Sequence, residues 1–247
     1  MELANSLKSV PRIRSSESEN SVVSRTRLVR DFLLFSEICP EDCAAIVSSA
    51  HECTYPAGKT VFLEGDSVRQ MVLLTSGCVK LSQNGRHGDE VILRLIGPGE
   101  NLCAECYPHL NHCSTARTME RSSALVWDAG QFEAVAERFP MLGRNISCVV
   151  MRILNQLEVR FREICTEKVG PRLSSQLLRL AGQIGTEVNG GIEIALSRRD
   201  LAQLTGTTLF TVSRILGRWE EHGIVRPKRQ GVQILDFRAL QTLAETE

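Results

Sequence analysis

The sequence lacks any apolar run approaching the roughly 18 residues that a helix needs to cross a bilayer, which argues against a membrane protein. Its first residues mix polar and charged types without an apolar signal core, so the cytoplasm is the expected location. It also lacks a nucleophile elbow, a phosphate-cradling loop and an HExxH motif, and nothing supplies an oriented general base. We therefore do not expect an enzyme.

The chain also lacks an overall excess of positive or negative charge, because the formal net charge is zero. Its distribution is uneven, however, since ten Lys and Arg against five Asp and Glu lie between Lys168 and Arg229. A basic C-terminal part on a neutral chain is typical of a local phosphate-binding face. A solvated surface of mixed charge would give the same count, so charge alone leaves both interpretations open.

The chain divides by composition and period. Residues 1–27 are rich in Ser, Asn, Glu and Arg without periodicity, which predicts a disordered tail. Between residues 54 and 128, short β-type runs recur about every 8 to 12 residues between Gly-containing breaks, as in an antiparallel barrel or jelly roll. The runs are Thr60–Leu63, Gln70–Leu74, Cys78–Leu81, Glu90–Arg94 and Ala124–Trp127. We predict an α+β protein with four segments: the tail (1–27), a β-roll sensor domain (28–140), a long helix (141–168) and a winged helix-turn-helix (169–241).

The long helix carries an apolar stripe at spacings of three and four residues. On spacing alone, this stripe can pack on its own barrel or on a second copy of itself. Gly170-Pro171 follows the helix and predicts a break in the chain, either a hinge or a domain boundary. The stripe consists of Ile146, Val150, Ile153, Leu157, Phe161 and Ile164.

The C-terminal segment has the pattern of a helix-turn-helix. Ser197 with Asp200 three residues later predicts a capped helix start, Gly206 allows a tight turn, and Thr208 can cap the second helix. Gly223 ends that helix. Two short apolar runs around a basic turn follow and predict a wing.

The predicted geometry assigns roles to single side chains. The N-terminal half of the second helix would enter the major groove. There Arg214 can pair with guanine, Ser213 can hydrogen-bond a base or phosphate, and Phe210 can cover a thymine methyl. Ordinary solvated charges on a small bundle are the alternative, disfavoured because helix, turn, helix and basic wing occur in order. The expected contacts to the DNA backbone are Arg198, Arg199, Thr208, Arg218, Lys228 and Arg229.

Motifs in both halves of the chain support this interpretation. They include Phe62-Leu-Glu-Gly-Asp66 and Gly97-Pro-Gly-Glu100 in the first half, and Leu196-Ser-Arg-Arg-Asp-Leu-Ala202 and Thr211-Val-Ser-Arg214 in the second. Over about residues 30–240 the sequence thereby resembles the CRP/FNR family of bacterial transcription regulators. The resemblance implies a cyclic-nucleotide-binding-type jelly roll, a dimer helix and a winged helix-turn-helix. It further implies a homodimer, double-stranded DNA with a two-fold symmetric operator, and RNA polymerase as a partner.

The sequence departs from the family at its ligand positions. Members that bind cyclic AMP hold the cyclic phosphate with an Arg-Ser pair, and here Cys113 stands at the arginine position. A thiol cannot neutralise a phosphate as a guanidinium does. Glu105 can substitute for the ribose-binding acid, but Leu157-Glu158 stands about where a base-contacting Thr-Ser pair would lie. Cyclic AMP is therefore disfavoured as the effector.

The same region concentrates soft ligands. Thiolate and imidazole groups suit zinc, iron, haem or an iron–sulfur cluster, and paired thiols can form a reversible disulfide. A surface loop with incidental Cys and His is the third alternative, so the cofactor stays unknown. The tail to residue 38 contains no cysteine, unlike the oxygen sensors of the family, which bind a cluster there. The ligand run is Cys103, Cys106, His109, His112 and Cys113.

Three further expectations concern the DNA site, three of the cysteines and the overall function. Many relatives carry Glu where this chain has Phe210, so we expect a thymine-tolerant position in its DNA site. Cys78, Cys148 and Cys165 are expected in the core or an interface. A ligand-binding regulatory module without DNA contact is the alternative function, and the wing and Ser213-Arg214 argue against it.

Overall fold

A computed structural model describes residues 14–86, 88–102 and 110–245. The N-terminal part consists of two antiparallel sheets, β1-β7-β3 and β2-β6-β4-β5, which face each other across an apolar cluster that includes Val72, Leu81 and Val126. The strands are β1 (His51–Tyr55), β2 (Thr60–Phe62), β3 (Gln70–Ser76), β4 (Val79–Asn84), β5 (Glu90–Ile96), β6 (Thr115–Thr118) and β7 (Ser122–Asp128). This double sheet confirms the predicted β-roll.

Helices surround the β-roll and lead to a second domain. The C-terminal part adds a sheet of order β10-β11-β9-β8, whose hairpin β10–β11 is the predicted wing. The elements are α1 (Arg14–Val29), a 3-10 turn (Leu33–Phe35), α2 (Pro40–Ser48), α3 (Ala129–Arg138), α4 (Pro140–Thr166), α5 (Val169–Ile184), β8 (Thr186–Val188), β9 (Gly191–Ile194), α6 (Arg198–Thr205), α7 (Leu209–Glu221), β10 (Val225–Lys228), β11 (Gly231–Ile234) and α8 (Phe237–Glu245).

The predicted disordered tail is wrong for residues 14–27, which belong to α1. Val29 at the end of this helix is fully buried with Ile46 of α2, and Val22 packs against the same cluster. Arg25 also donates to Ala50 O at 2.8 Å and to Glu52 Oε1 at 2.8 Å. Apolar packing and these contacts stabilise a helix that its polar composition did not reveal. Residues 1–13 lie outside the described residues.

The chain break predicted at Gly170-Pro171 lies a few residues too late, because both residues belong to the first turn of α5. Proline is tolerated there, since the first amides of a helix have no acceptor within it. The break in the helical chain lies instead at Glu167 and Lys168, whose backbone is extended.

The β-roll and the C-terminal domain share an apolar core. Ile92 and Leu95 of β5, together with Cys78, join the cluster formed by α5, α6 and α7, where Leu201 and Leu204 are buried. The first helix of the helix-turn-helix therefore packs on a strand of the β-roll. Within the described ranges, no helix is both long enough and apolar enough to span a membrane.

Candidate nucleic-acid interface

Local capping fixes the start and the end of α6. Ser197 Oγ accepts a hydrogen bond from Asp200 N at 3.1 Å, and Asp200 Oδ2 accepts one from Ser197 N at 3.1 Å. This reciprocal pair is the predicted capping box and satisfies two amides that the helix leaves free. Gly206 then adopts a left-handed φ of 60°. Glycine adopts this conformation without a Cβ penalty, so the tight turn forms as predicted.

The second helix, α7, is oriented by its cap and its buried face. Thr208 Oγ1 accepts a hydrogen bond from Thr211 N at 3.2 Å, which confirms the predicted N-cap. Val212, Leu216 and Trp219 are buried in the domain core. Since these residues recur at helical spacing, the opposite face of α7 must point outward.

The predicted base-reading residues lie on that outward face. Phe210 is 84% exposed and Arg214 is exposed, whereas Ser213 is half-buried. Leu209, not among the predicted readers, is also exposed, at 41%. The tip of α7 thus presents two apolar side chains and one guanidinium, groups that can contact thymine methyls and guanine acceptors.

The predicted backbone contacts divide into free and engaged side chains. Arg199, Arg218 and Arg229 are exposed, whereas Arg198 is half-buried. Lys228 Nζ forms an ion pair with Glu193 Oε2, and Thr208 is engaged as the cap of α7. To contact the DNA backbone, Lys228 would therefore have to leave the carboxylate of Glu193 and bind a phosphate instead.

The wing offers one further cation. Arg226 on β10 is exposed and was not among the predicted backbone contacts. Its place in the basic run beside Lys228 and Arg229 was the available signal in the sequence. Together with the predicted cations it extends the positive surface from α7 onto the wing.

The structure describes only part of the predicted effector run. Cys103, Cys106 and His109 lie outside the described residues. His112 is 6% exposed, and its ring stacks in parallel on Phe62 with centroids 3.6 Å apart. Cys113 is exposed. The described end of the run thus consists of one packed imidazole and one accessible thiol.

Cysteine environments differ along the chain. No disulfide joins any two of the seven cysteines in the described ranges, and no three His, Cys, Asp or Glu side chains in those ranges are grouped as a metal site requires. Burial raises the pKa of Cys78 to about 12 and also raises that of Cys43. Such thiols carry little thiolate at neutral pH, so they are poor redox groups. Cys148 and Cys165 are exposed on α4 rather than packed in the chain's own core.

The apolar stripe of α4 is mostly exposed. Ile146 packs instead against the core beneath the N-terminal helices, and Ile153 is half-buried, so neither belongs to the outward stripe. The helical repeat explains this correction. Ile153 follows Ile146 by seven residues, about two turns, so both side chains lie on the inner face of α4. The outward residues recur at alternating spacings of four and three, the repeat of a coiled-coil seam. They are Val150, Leu154, Leu157, Phe161 and Ile164, and we call them the exposed stripe.

Comparison with known proteins gives two family models and several relatives. Residues 52–139 match the cyclic nucleotide-binding domain, and residues 171–243 match the Crp-like helix-turn-helix domain. The chain is 28% identical to the cyclic AMP receptor protein of Thermus thermophilus over 213 residues, 85% of this chain and 96% of that protein. It is 27% identical over 218 residues to a CRP-like cAMP-activated global transcriptional regulator of Mycobacterium tuberculosis, covering 84% and 94%. The solved structure of FixK2 from Bradyrhizobium japonicum shares the fold, with a TM-score of 0.71, 21% identity and coverage of 80% and 98%.

Proposed function

This chain belongs to the CRP/FNR family of DNA-binding transcription regulators, and on that premise we propose that it binds a two-fold symmetric operator as a homodimer. An effector sensed in the β-roll controls that binding, and RNA polymerase is the partner through which the bound dimer acts. The alternative of a regulatory module without DNA contact is disfavoured by the capped, outward-facing α7.

The exposed stripe is the observation that supports the homodimer. Leu154 and Phe161 are 47% and 71% exposed, in a helix of which only Leu142, Asn145 and Glu163 are buried. A continuous apolar seam at heptad spacing is stable in water only when it is covered, and a second α4 has the complementary repeat. A dimer about this seam is two-fold symmetric, so its two α7 helices can address half-sites one DNA turn, about 34 Å, apart.

Selection of binding sites from random duplex DNA tests this proposal. We expect enriched sites that are two-fold symmetric, and we expect Arg214→Ala to weaken binding by about 1–3 kcal/mol for each half-site. Arg121→Ala, which removes an exposed arginine of the β-roll, is the matched control and should leave affinity unchanged. Asymmetric sites, or operator binding that survives Arg214→Ala intact, would contradict the proposal.

Phe210 should set an unusual base preference. Its ring cannot accept a hydrogen bond from cytosine as a carboxylate does, but it can cover a thymine methyl. We expect the selected half-site to tolerate thymine opposite Phe210, and we expect Phe210→Glu to shift the preference at that position alone. A wild-type selection with the preference typical of Glu would show that Phe210 does not read this base.

For the effector we favour a metal, an iron–sulfur cluster, haem or thiol redox chemistry over cyclic AMP. The support is the soft-ligand run, the thiol of Cys113 where the family's cyclic AMP binders carry arginine, and the buried ring of His112. Related proteins are named for cyclic AMP, but at 27–28% identity a ligand-binding position can change.

Metal analysis and absorption spectra of anaerobically purified protein test this assignment. We expect bound metal, a chromophore, or DNA binding that responds to oxidants. Addition of cyclic AMP should leave operator affinity unchanged. A colourless, metal-free protein whose DNA binding ignores oxidants would remove both sensing hypotheses.

A further inference from the structure

Arg160, on the inner side of α4, joins three parts of the chain. Its guanidinium is half-buried and donates to Leu93 O on β5 and, at 2.9 Å, to Leu204 O on α6. A longer contact of 3.4 Å reaches Ile92 O. A half-buried charge that is hydrogen-bonded to carbonyls of two domains is costly to release, because each separation leaves polar groups without partners.

These contacts fall at the end of the first helix of the helix-turn-helix. Leu204 and Thr205 are the last residues of α6, where the final carbonyls have no acceptor role within the helix. Arg172 donates to Thr205 O at 2.9 Å, so two guanidiniums meet the negative end of the helix dipole. Gly206 follows at once and turns the chain into α7. Because the turn is short, fixing the end of α6 also fixes the start of α7.

Arg160 is also coupled to the exposed stripe through α4 itself. It immediately precedes Phe161, the most exposed residue of that stripe. Successive residues of a helix are separated by about 100° around its axis, so a rotation that changes the packing of Phe161 also moves the Arg160 guanidinium from its carbonyls.

We propose that Arg160 is a positioning residue for DNA binding. By bonding β5 and the end of α6 to α4, it holds the helix-turn-helix in the orientation in which α7 is presented to DNA. This rests on the DNA-binding function of the family and requires neither a particular effector nor an assigned cofactor.

The test compares Arg160→Met with Arg162→Met in the full chain. Arg162 is exposed on the same helix, so it controls for loss of one arginine. We expect Arg160→Met to weaken binding to the selected operator about tenfold, within the usual range for coupling between sites. Hydrogen exchange should become faster in β5, α6 and α7 and stay unchanged in β3 and β7. A residue that merely stabilises the fold would instead accelerate exchange throughout.

Arg160→Lys covers the case in which the methionine variant does not fold. A lysine ammonium still donates hydrogen bonds, but it is too compact to reach three carbonyls as a planar guanidinium does. We therefore expect effects on exchange and affinity between those of wild type and Arg160→Met. Operator affinity within about twofold of wild type, stronger binding, or exchange that rises uniformly would each overturn the proposal. Hydrogen exchange tests the contact even where the selected DNA fails to bind, so failure of the proposed operator and failure of the positioning role are distinguishable.

Discussion

The two faces of α4 differ from those expected of a helix on a monomer surface, because polar side chains are buried on the inner face and apolar side chains are exposed on the outer face. The inner face buries Asn145 and Glu163, and it holds the half-buried Arg160. Beyond Leu142, none of its apolar residues is fully buried. The outer face presents the exposed stripe, with Phe161 at 71% exposure.

This difference indicates that the helix has two separate roles. Polar groups on the inner face make directional bonds that fix the positions of neighbouring elements, whereas the apolar outer face supplies non-directional attraction to a partner. Glu163 pairs with Arg179 Nη1 at 2.6 Å and Nη2 at 2.8 Å, which ties α4 to α5. A helix with only the first task would have a polar outer face.

The largest effect is expected from a substitution that disrupts the outer face alone. Phe161→Asp places a charge in the seam, which should cost the dimer at least about 3 kcal/mol and thus weaken self-association by more than about 100-fold. Sedimentation equilibrium measures this change. Circular dichroism should show an unchanged fold, because Phe161 is exposed within the single chain. Arg162→Asp is the control, and equal dissociation in both variants would show that the stripe is not the interface.

A smaller effect is expected on the inner face. Asn145 Nδ2 donates to Leu34 O at 3.0 Å and to Ser36 O at 2.7 Å, and the side chain is 7% exposed. Asn145→Ala leaves both carbonyls without this donor and should lower the free energy of unfolding by about 1–3 kcal/mol. Thermal unfolding at fixed protein concentration measures the loss. Asn155→Ala, at an exposed position of α4, should change it little, and equal losses would argue against the directional role of the inner face.

The smallest effect concerns the polar link between the β-roll and α6. Burial acts to raise the pKa of Glu90, but hydrogen bonds from Lys80, Ser82 and Gln203 outweigh it and hold that pKa below 4.5. The ionised carboxylate therefore stabilises the fold above about pH 4.5, and this contribution is lost as the pH falls through the folded pKa. Since Glu90 is partly exposed, we expect less than about 1 kcal/mol.

Unfolding of wild type and Glu90→Gln from about pH 3 to about pH 7 measures this link, because this range extends roughly one unit or more either side of the ordinary pKa of a glutamate. The difference in unfolding free energy should be present at neutral pH and shrink in acid. A difference that stays constant or grows as the pH falls would contradict the assigned ionisation of Glu90.

The helix-turn-helix was predictable because its signals are local. The Ser197 cap, the Gly206 turn and the Thr208 cap each depend on neighbours within a few residues, and the structure confirms all three. The short strands β1 and β6 were missed, since runs of three to five residues with polar members give a weak alternating pattern. Helix α1 was missed because its stability comes from packing of Val29 rather than from its own composition.

The sequence by itself determined the order of the modules, the helix-turn-helix and the apolar repeat of α4, because these depend on periodicity and on short-range capping. Only the tertiary structure decided which residues of that repeat face outward, since Ile146 and Leu154 differ by rotation about one helix axis. It also decided that α6 packs against β5 and that Arg160 donates hydrogen bonds to carbonyls of both elements. Contacts between residues distant in the chain depend on how whole elements pack, and no local pattern encodes that packing.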